Sequence, residues 1–290
     1  MSEINLLFDP FIDFAFMRRA LAAAFALSLG GAPLGVFMML RRMTLVGDAL
    51  SHALLPGVAI GFLVAGLSLG AMTIGGVCAA FIVGGMAVFL TRFTHLKEDS
   101  AFTLLYLLSL GIGVTLISLK GSNTNLLHLL FGNILAIDEA TLGLVASISV
   151  LSLFTIAIFY RRFVIEGFDS SFLGVVSRGT ESWVRQIFFM LLMLNLVAAF
   201  QAMGTLMALG LMILPAIASR FWSHNINVLM PMAACLALVS SYTGLLLSFY
   251  VSLPSGPAIV LVAGSMGLVS ALIGPVGSVR ASLKENQQEG

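Results

Sequence analysis

The chain has 290 residues, of which 59% are hydrophobic and only 9% charged, with a formal net charge of +1 and two cysteines. A soluble domain carries about a quarter charged residues; with a mean hydropathy of +1.08, this composition excludes one and marks an all-α polytopic membrane protein. A transmembrane barrel alternates apolar and polar residues in segments of about ten, and that pattern is missing, while nothing in the charge balance calls for a nucleic acid partner.

The first 13 residues bear Glu3, Asp9 and Asp13 and precede the first apolar run, Ala20 to Leu40. ALAAAFALSLGGA after Arg18 and Arg19 has the basic flank and small residues of a signal peptide, but the run continues to Leu40 and stops at Arg41 and Arg42, as a span does. Further stretches free of Asp, Glu, Lys, Arg and His cover Ala53–Thr91, Ala101–Leu119, Ala140–Tyr160, Gln186–Ser219 and Asn225–Val279. A bilayer takes about 20 apolar residues per helical span, so the stretches beginning at Ala53, Gln186 and Asn225 each hold two, giving eight or nine helices in one domain, 1–290.

Asp48 and His52 stand between the first and second stretches, in TLVGDALSHALLPGVAIG. Ionisable groups at bilayer depth cost a few kcal/mol or more, so they mark a water-filled path or a bound ion. Four residues apart, the two share one helix face about a turn apart. A carboxylate and an imidazole are natural partial ligands for Zn(II), Mn(II) or Fe(II). Pro56 and Gly57 follow at once as helix breakers, and Pro215 sits inside a later run; broken helices in membranes line cavities or are buried in protein, while the alternative for Pro215 is that proline is simply commoner in transmembrane helices than in soluble ones.

Farther along, Glu98 and Asp99 are placed to cap a helix from Ser100. Residues 120–139 are too polar at their start and too short at their end to span, and read as an outer loop with a short or re-entrant helix; its His128 is read as a packed histidine before a ligand. Glu166 to Glu181 is the longest charged interruption. There Phe168 and Phe172 share one face of an amphipathic helix for which Asp169 is a suitable N-cap, and that face fits a partner or the bilayer surface. YVSLPSGPA, from Tyr250, is a turn between the last two spans. Cys78 and Cys235 lie in apolar runs and are expected to pack as small hydrophobes.

Arg41–Arg42, Arg92, Lys97, Arg161–Arg162, Arg178, Arg185, Arg220, Arg280 and Lys284 all fall on one side of this arrangement, which the positive-inside rule makes cytoplasmic. The N-terminal segment 1–13 is then outside, and the segment 163–182 and the tail 280–290 inside. Arg18, Arg19 and Lys120 are exceptions on the outer side.

RRMTLVGDALSHALLPGVAIG (41–61) resembles the signature of the membrane subunits of metal-ion ABC importers, the zinc/manganese/iron permease family called ABC-3. KEDSAF (97–102), LFGNIL (130–135), QAMGTLMALGLMILPAIASR (201–220) and LPSGPAIVLVAG (253–264) resemble further segments of that family, in its order. The resemblance implies a bacterial inner-membrane permease of the vitamin-B12-importer (type II) fold, working as a dimer with the path along the interface. Two cytoplasmic ATPases and an extracytoplasmic metal-binding protein would complete the assembly, with no permanently bound cofactor and with ATP used by the partner. By motif, Asp48 and His52 match the pore residues that meet the passing cation, and Phe168, Asp169 and Phe172 fall in the segment that couples to the ATPase. Leu173, Ser177 and Ser252 depart from the family's usual residues, which bears on the ATPase partner and the coupling contacts.

No Gly-Lys-Ser/Thr or HExxH occurs in the chain, so it is read as a transport subunit without its own ATPase or metalloprotease motif. The alternative is a proton-coupled metal carrier with Asp48 and His52 as its relay.

Overall fold

A computed structural model describes residues 3–66, 68–96, 98–119, 134–168 and 180–280. They form helices without any strand: α1 (Glu3–Asp13), α2 (Ala15–Leu40), α3 (Thr44–Ala53), α4 (Leu55–Ala65), α5 (Leu69–Phe93), α6 (Glu98–Leu119), α7 (Glu139–Phe168), α8 (Thr180–Met203), α9 (Thr205–Arg220), α10 (Ile226–Val251) and α11 (Ser255–Ile273). Seven segments among them are long and apolar enough to cross a membrane, and Ser100–Leu116 and Thr205–Arg220 are shorter apolar helices. Each long charge-free stretch divides as its length requires, at Gly66, Gly204 and Ser252. Gly204 has φ 81°, a backbone angle that costs glycine nothing.

Helix α2 is the most buried span and packs against α7, α9 and α10. Its glycines permit this. A β-carbon added at Gly35 would lie 1.9 Å from the Met212 carbonyl oxygen of α9. Small residues at helix interfaces let backbones approach where lipid offers no hydrophobic drive to associate. The same device joins α4 to α5, where β-carbons at Gly57 and Gly75 would each meet the other's carbonyl at 2.0 and 2.1 Å. Polar side chains add links: Gln201 Nε2 donates to Thr73 Oγ1 at 3.0 Å, and buried Asn195 donates to Ser152 Oγ.

The N-terminal segment, read from the sequence as an outer stretch bearing Glu3, Asp9 and Asp13, is the helix α1, and Phe11 stacks on Tyr242 with ring centroids 5.0 Å apart. Helix α6 begins at Glu98, two residues before the start expected at Ser100, so Glu98 and Asp99 lie inside its first turn instead of preceding it. Both cysteines are free thiols that face outward rather than packing inside as small hydrophobes. Arg18 and Arg19, the exceptions to the charge asymmetry, are engaged by the protein. Arg18 Nη1 donates to the Ile12 carbonyl at 2.6 Å, and the Asp138 pKa is lowered first by hydrogen bonds from Thr141 and last by the charge of Arg19.

Candidate functional site

The interrupted span Val46–Ala65 is built from α3 and α4. Pro56 has no amide hydrogen to donate and occupies the first turn of α4, where none is needed. At the break, Ser109 Oγ of α6 donates to the Ala53 carbonyl at 3.0 Å, so the interruption is secured by a neighbouring helix.

Asp48 and His52 lie together on α3. Nε2 of His52 is 3.8 Å from Oδ1 of Asp48, beyond hydrogen-bond range. Nδ1 of His52 is buried without a hydrogen-bond partner among the described residues, while the imidazole centroid lies 5.7 Å from the Tyr106 ring. The Asp48 side chain is 54% exposed and that of His52 26%. They open onto a groove of about 410 Å³ whose other wall is Thr205, Leu206, Leu209 and Ile213 of α9 with Val260 of α11. Gly210 lets α9 and α11 pack closely within that wall, since a β-carbon there would come within 2.7 Å of Val260 Cγ2.

A second groove, of about 540 Å³, runs between α5, α6 and α8 past Gly84, Gly85, Phe102 and Phe189. Arg185 is its titratable lining residue, the wrong sign for a cation. Of these two grooves, the 410 Å³ one has chemistry suited to a metal ion. No cluster of three or more His, Cys, Asp or Glu placed to hold a metal occurs among the described residues, so Asp48 and His52 form at most a half-site.

Phe168 is the last residue of α7. Asp169, Phe172 and His128 lie outside the described residues. The sequence reading missed Arg41, Glu166 and Arg185 as a group: Arg41 Nη2 donates to Glu166 Oε2 at 2.9 Å, and Arg185 Nε lies 3.6 Å from Oε1 of the same carboxylate. The arginines were visible as charge, but a partner 125 residues from Arg41 was not.

The sequence profile of the ABC 3 transport family matches residues 13–274. The chain belongs to that family. It is 32% identical over 280 residues to the manganese transport system membrane protein MntC of Halalkalibacterium halodurans, covering 95% of this chain and 93% of that one. The zinc transport system membrane protein TroC of Treponema pallidum is 29% identical over 279 residues, covering 94% and 93%. Among solved structures, PsaBC from Streptococcus pneumoniae in complex with Fab superposes with a TM-score of 0.85 at 28% identity, covering 97% of this chain and 99% of that one. An inward-facing metal-chelate type ABC transporter shares the fold alone, with a TM-score of 0.68 at 16% identity. This ABC 3 family member is thus a multi-pass permease subunit of a bacterial membrane transporter.

Proposed function

We propose that this subunit forms the membrane path of an ATP-driven importer of divalent transition-metal ions, with manganese and zinc, the metals named for its relatives, ahead of iron. The observation that carries the reading is the Asp48–His52 pair facing a groove in a span. Metal–ligand bonds of about 2.0–2.2 Å to nitrogen and oxygen let one ion bridge atoms as far apart as about 4 Å, and Nε2 and Oδ1 stand 3.8 Å apart. Two ligands from one chain hold a cation loosely, which suits conduction, where an ion must leave as readily as it enters. A second permease copy or a paralogue would add another Asp–His pair across the groove.

ATP would be hydrolysed by cytoplasmic partners docked at the segment 163–182, with Phe168, Asp169 and Phe172 as the contacts, and the ion would be delivered by an extracytoplasmic binding protein. The proton-coupled carrier, in which Asp48 and His52 relay protons, draws no support from membership of an ABC family.

Proteoliposomes holding the whole assembly decide between them. Uptake of manganese or zinc is expected to require hydrolysable ATP and to survive collapse of the proton gradient. Uptake by this chain alone under a pH gradient would replace the importer with the carrier.

A further inference from the structure

Arg41 closes helix α2, and the next residue turns the chain: Arg42 adopts φ 57°, in the left-handed region. Helix α3 starts two residues later, at Thr44, and Asp48 follows one turn on. The orientation of α3 therefore depends on how the Arg41 end of α2 is held.

It is held by groups far away in sequence. The Arg41 and Glu166 side chains are 7% and 3% exposed, with Nη2 and Oε2 2.9 Å apart. The guanidinium carbon of Arg41 lies 3.8 Å from the centroid of the Phe188 ring and 6.0 Å from that of Phe163. These rings pack edge to face on one another and on Phe37. A planar cation between a carboxylate and an aromatic face is fixed in direction as well as position. Glu166 stands two residues before the end of α7, and Arg185, 3.6 Å from its other oxygen, lies in the second turn of α8. One buried carboxylate thus joins the last turn of α7, the start of α8 and the root of the helix bearing Asp48 and His52. Burial pulls the Arg41 pKa down, and the Glu166 charge pushes it back up. Removing one partner leaves a buried charge unmatched, which is far costlier than losing a surface pair.

We propose that Arg41 is a positioning residue of the transport path: through Glu166 it ties the root of α3 to both flanks of the segment 169–179, so that a displacement of that segment is delivered to Asp48 and His52. The inference rests on the reading of that segment as the ATPase contact. A pair that merely stapled the fold would need no connection to the Asp48 helix, yet Arg41 is only seven residues before Asp48 along the chain. Arg185 completes the link from the α8 side, so both ends of the segment report to one carboxylate.

The test uses the complete assembly of permease, ATPase and binding protein in proteoliposomes, comparing Glu166→Gln, Arg41→Lys and the unmodified protein. The readout is manganese or zinc transported per ATP hydrolysed, with ATPase co-purification measured on the same samples. In Glu166→Gln the ATPase is expected to stay bound and active while metal moved per ATP falls about tenfold, within the range of coupling between distant sites. Arg41→Lys keeps the charge without the planar stack and is expected to fall between the two. A parallel loss of hydrolysis and uptake, an unchanged ratio, or release of the ATPase by Glu166→Gln would each overturn the proposal. Phe172→Asp separates this from the underlying reading: undiminished ATPase recovery with that variant would dismiss the ATPase contact itself, whatever Glu166→Gln does.

Discussion

At the scale of single residues, Asp48 is costly to place and contributes little to packing. Its carboxylate is more than half exposed on a span that is apolar around it, where a charge is tolerated only beside water, a counter-ion or another subunit. Removing the charge should therefore leave folding nearly untouched and remove function. Asp48→Asn and His52→Ala are each expected to reduce metal uptake by about two orders of magnitude, the upper end of what even indirect losses at metal sites cost. Immunoblotting of the membrane fraction should show near-normal abundance; wild-type uptake by both variants would end the path assignment. Asp138 makes the opposite case, a charge whose role is structural. It caps α7 by accepting from the Thr141 amide at 2.9 Å, and hydrogen bonds from Thr141 hold its carboxyl below the ordinary range. A lowered folded-state pKa contributes stability that is full above the unfolded value and is lost as pH falls through the folded one. Asp138→Ala should cost about 1 kcal/mol at neutral pH, with the gap in melting temperature to the parent narrowing in acid. A gap that stays constant down the titration would remove Asp138 from the cap.

Between elements, α4 and α5 form the most extensive helix pairing among the described residues, and α4 continues directly from the helix that bears Asp48 and His52. A methyl at Gly57 would sit 2.0 Å from the Gly75 carbonyl oxygen, which is backbone and cannot swing aside, whereas nothing lies within 4 Å of a methyl at Gly70. Gly57→Ala should thus force α4 from α5 at a cost of about 1–3 kcal/mol, lowering the thermal midpoint in detergent and metal uptake together. Gly70→Ala should leave both unchanged, and equal behaviour of the two variants would show that the helices are not held so closely. The break in this span was legible, because Pro56 and Gly57 announce it. What secures the break was not: the Ser109 hydroxyl on the Ala53 carbonyl joins groups 56 residues apart. Nor did the sequence tell inward from outward faces. In a soluble helix polarity separates them, but here lipid is as apolar as the core, so Cys78 and Cys235 read as packed and are exposed. The pairing of Arg41 with Glu166 escaped for a related reason, since charge at the end of a span is ordinary and its partner is set by tertiary folding.

For the whole molecule, the charge on the cargo matters most. On the proposed path, one chain would offer the Asp48 carboxylate and the His52 imidazole, which ligates metal in its neutral form, so a single negative charge would meet a divalent cation. In the dimer proposed above, two chains facing across the groove would offer two carboxylates, which would match the ion's charge and let it pass the hydrocarbon layer without a net field, and four ligands, the number zinc prefers. The groove's far wall is apolar and open, with Leu206 42% exposed, so within this chain it is free to take the second subunit proposed above. Replacing Cys78 and Cys235, which are exposed and would cross-react, gives a background for a single Leu206→Cys. Mild oxidation of the assembled transporter in membranes should then join this chain to a second permease subunit, with twice the mass on a non-reducing gel if that subunit is another copy. If the subunit is a paralogue, the link should appear once the matching residue there is also cysteine. Bulk at the same position tests the converse: Leu206→Trp should block assembly and abolish uptake while the chain stays in the membrane. Efficient transport by Leu206→Trp, with no crosslink in either cysteine arrangement, would leave each chain as its own path and return the second pair of ligands to water.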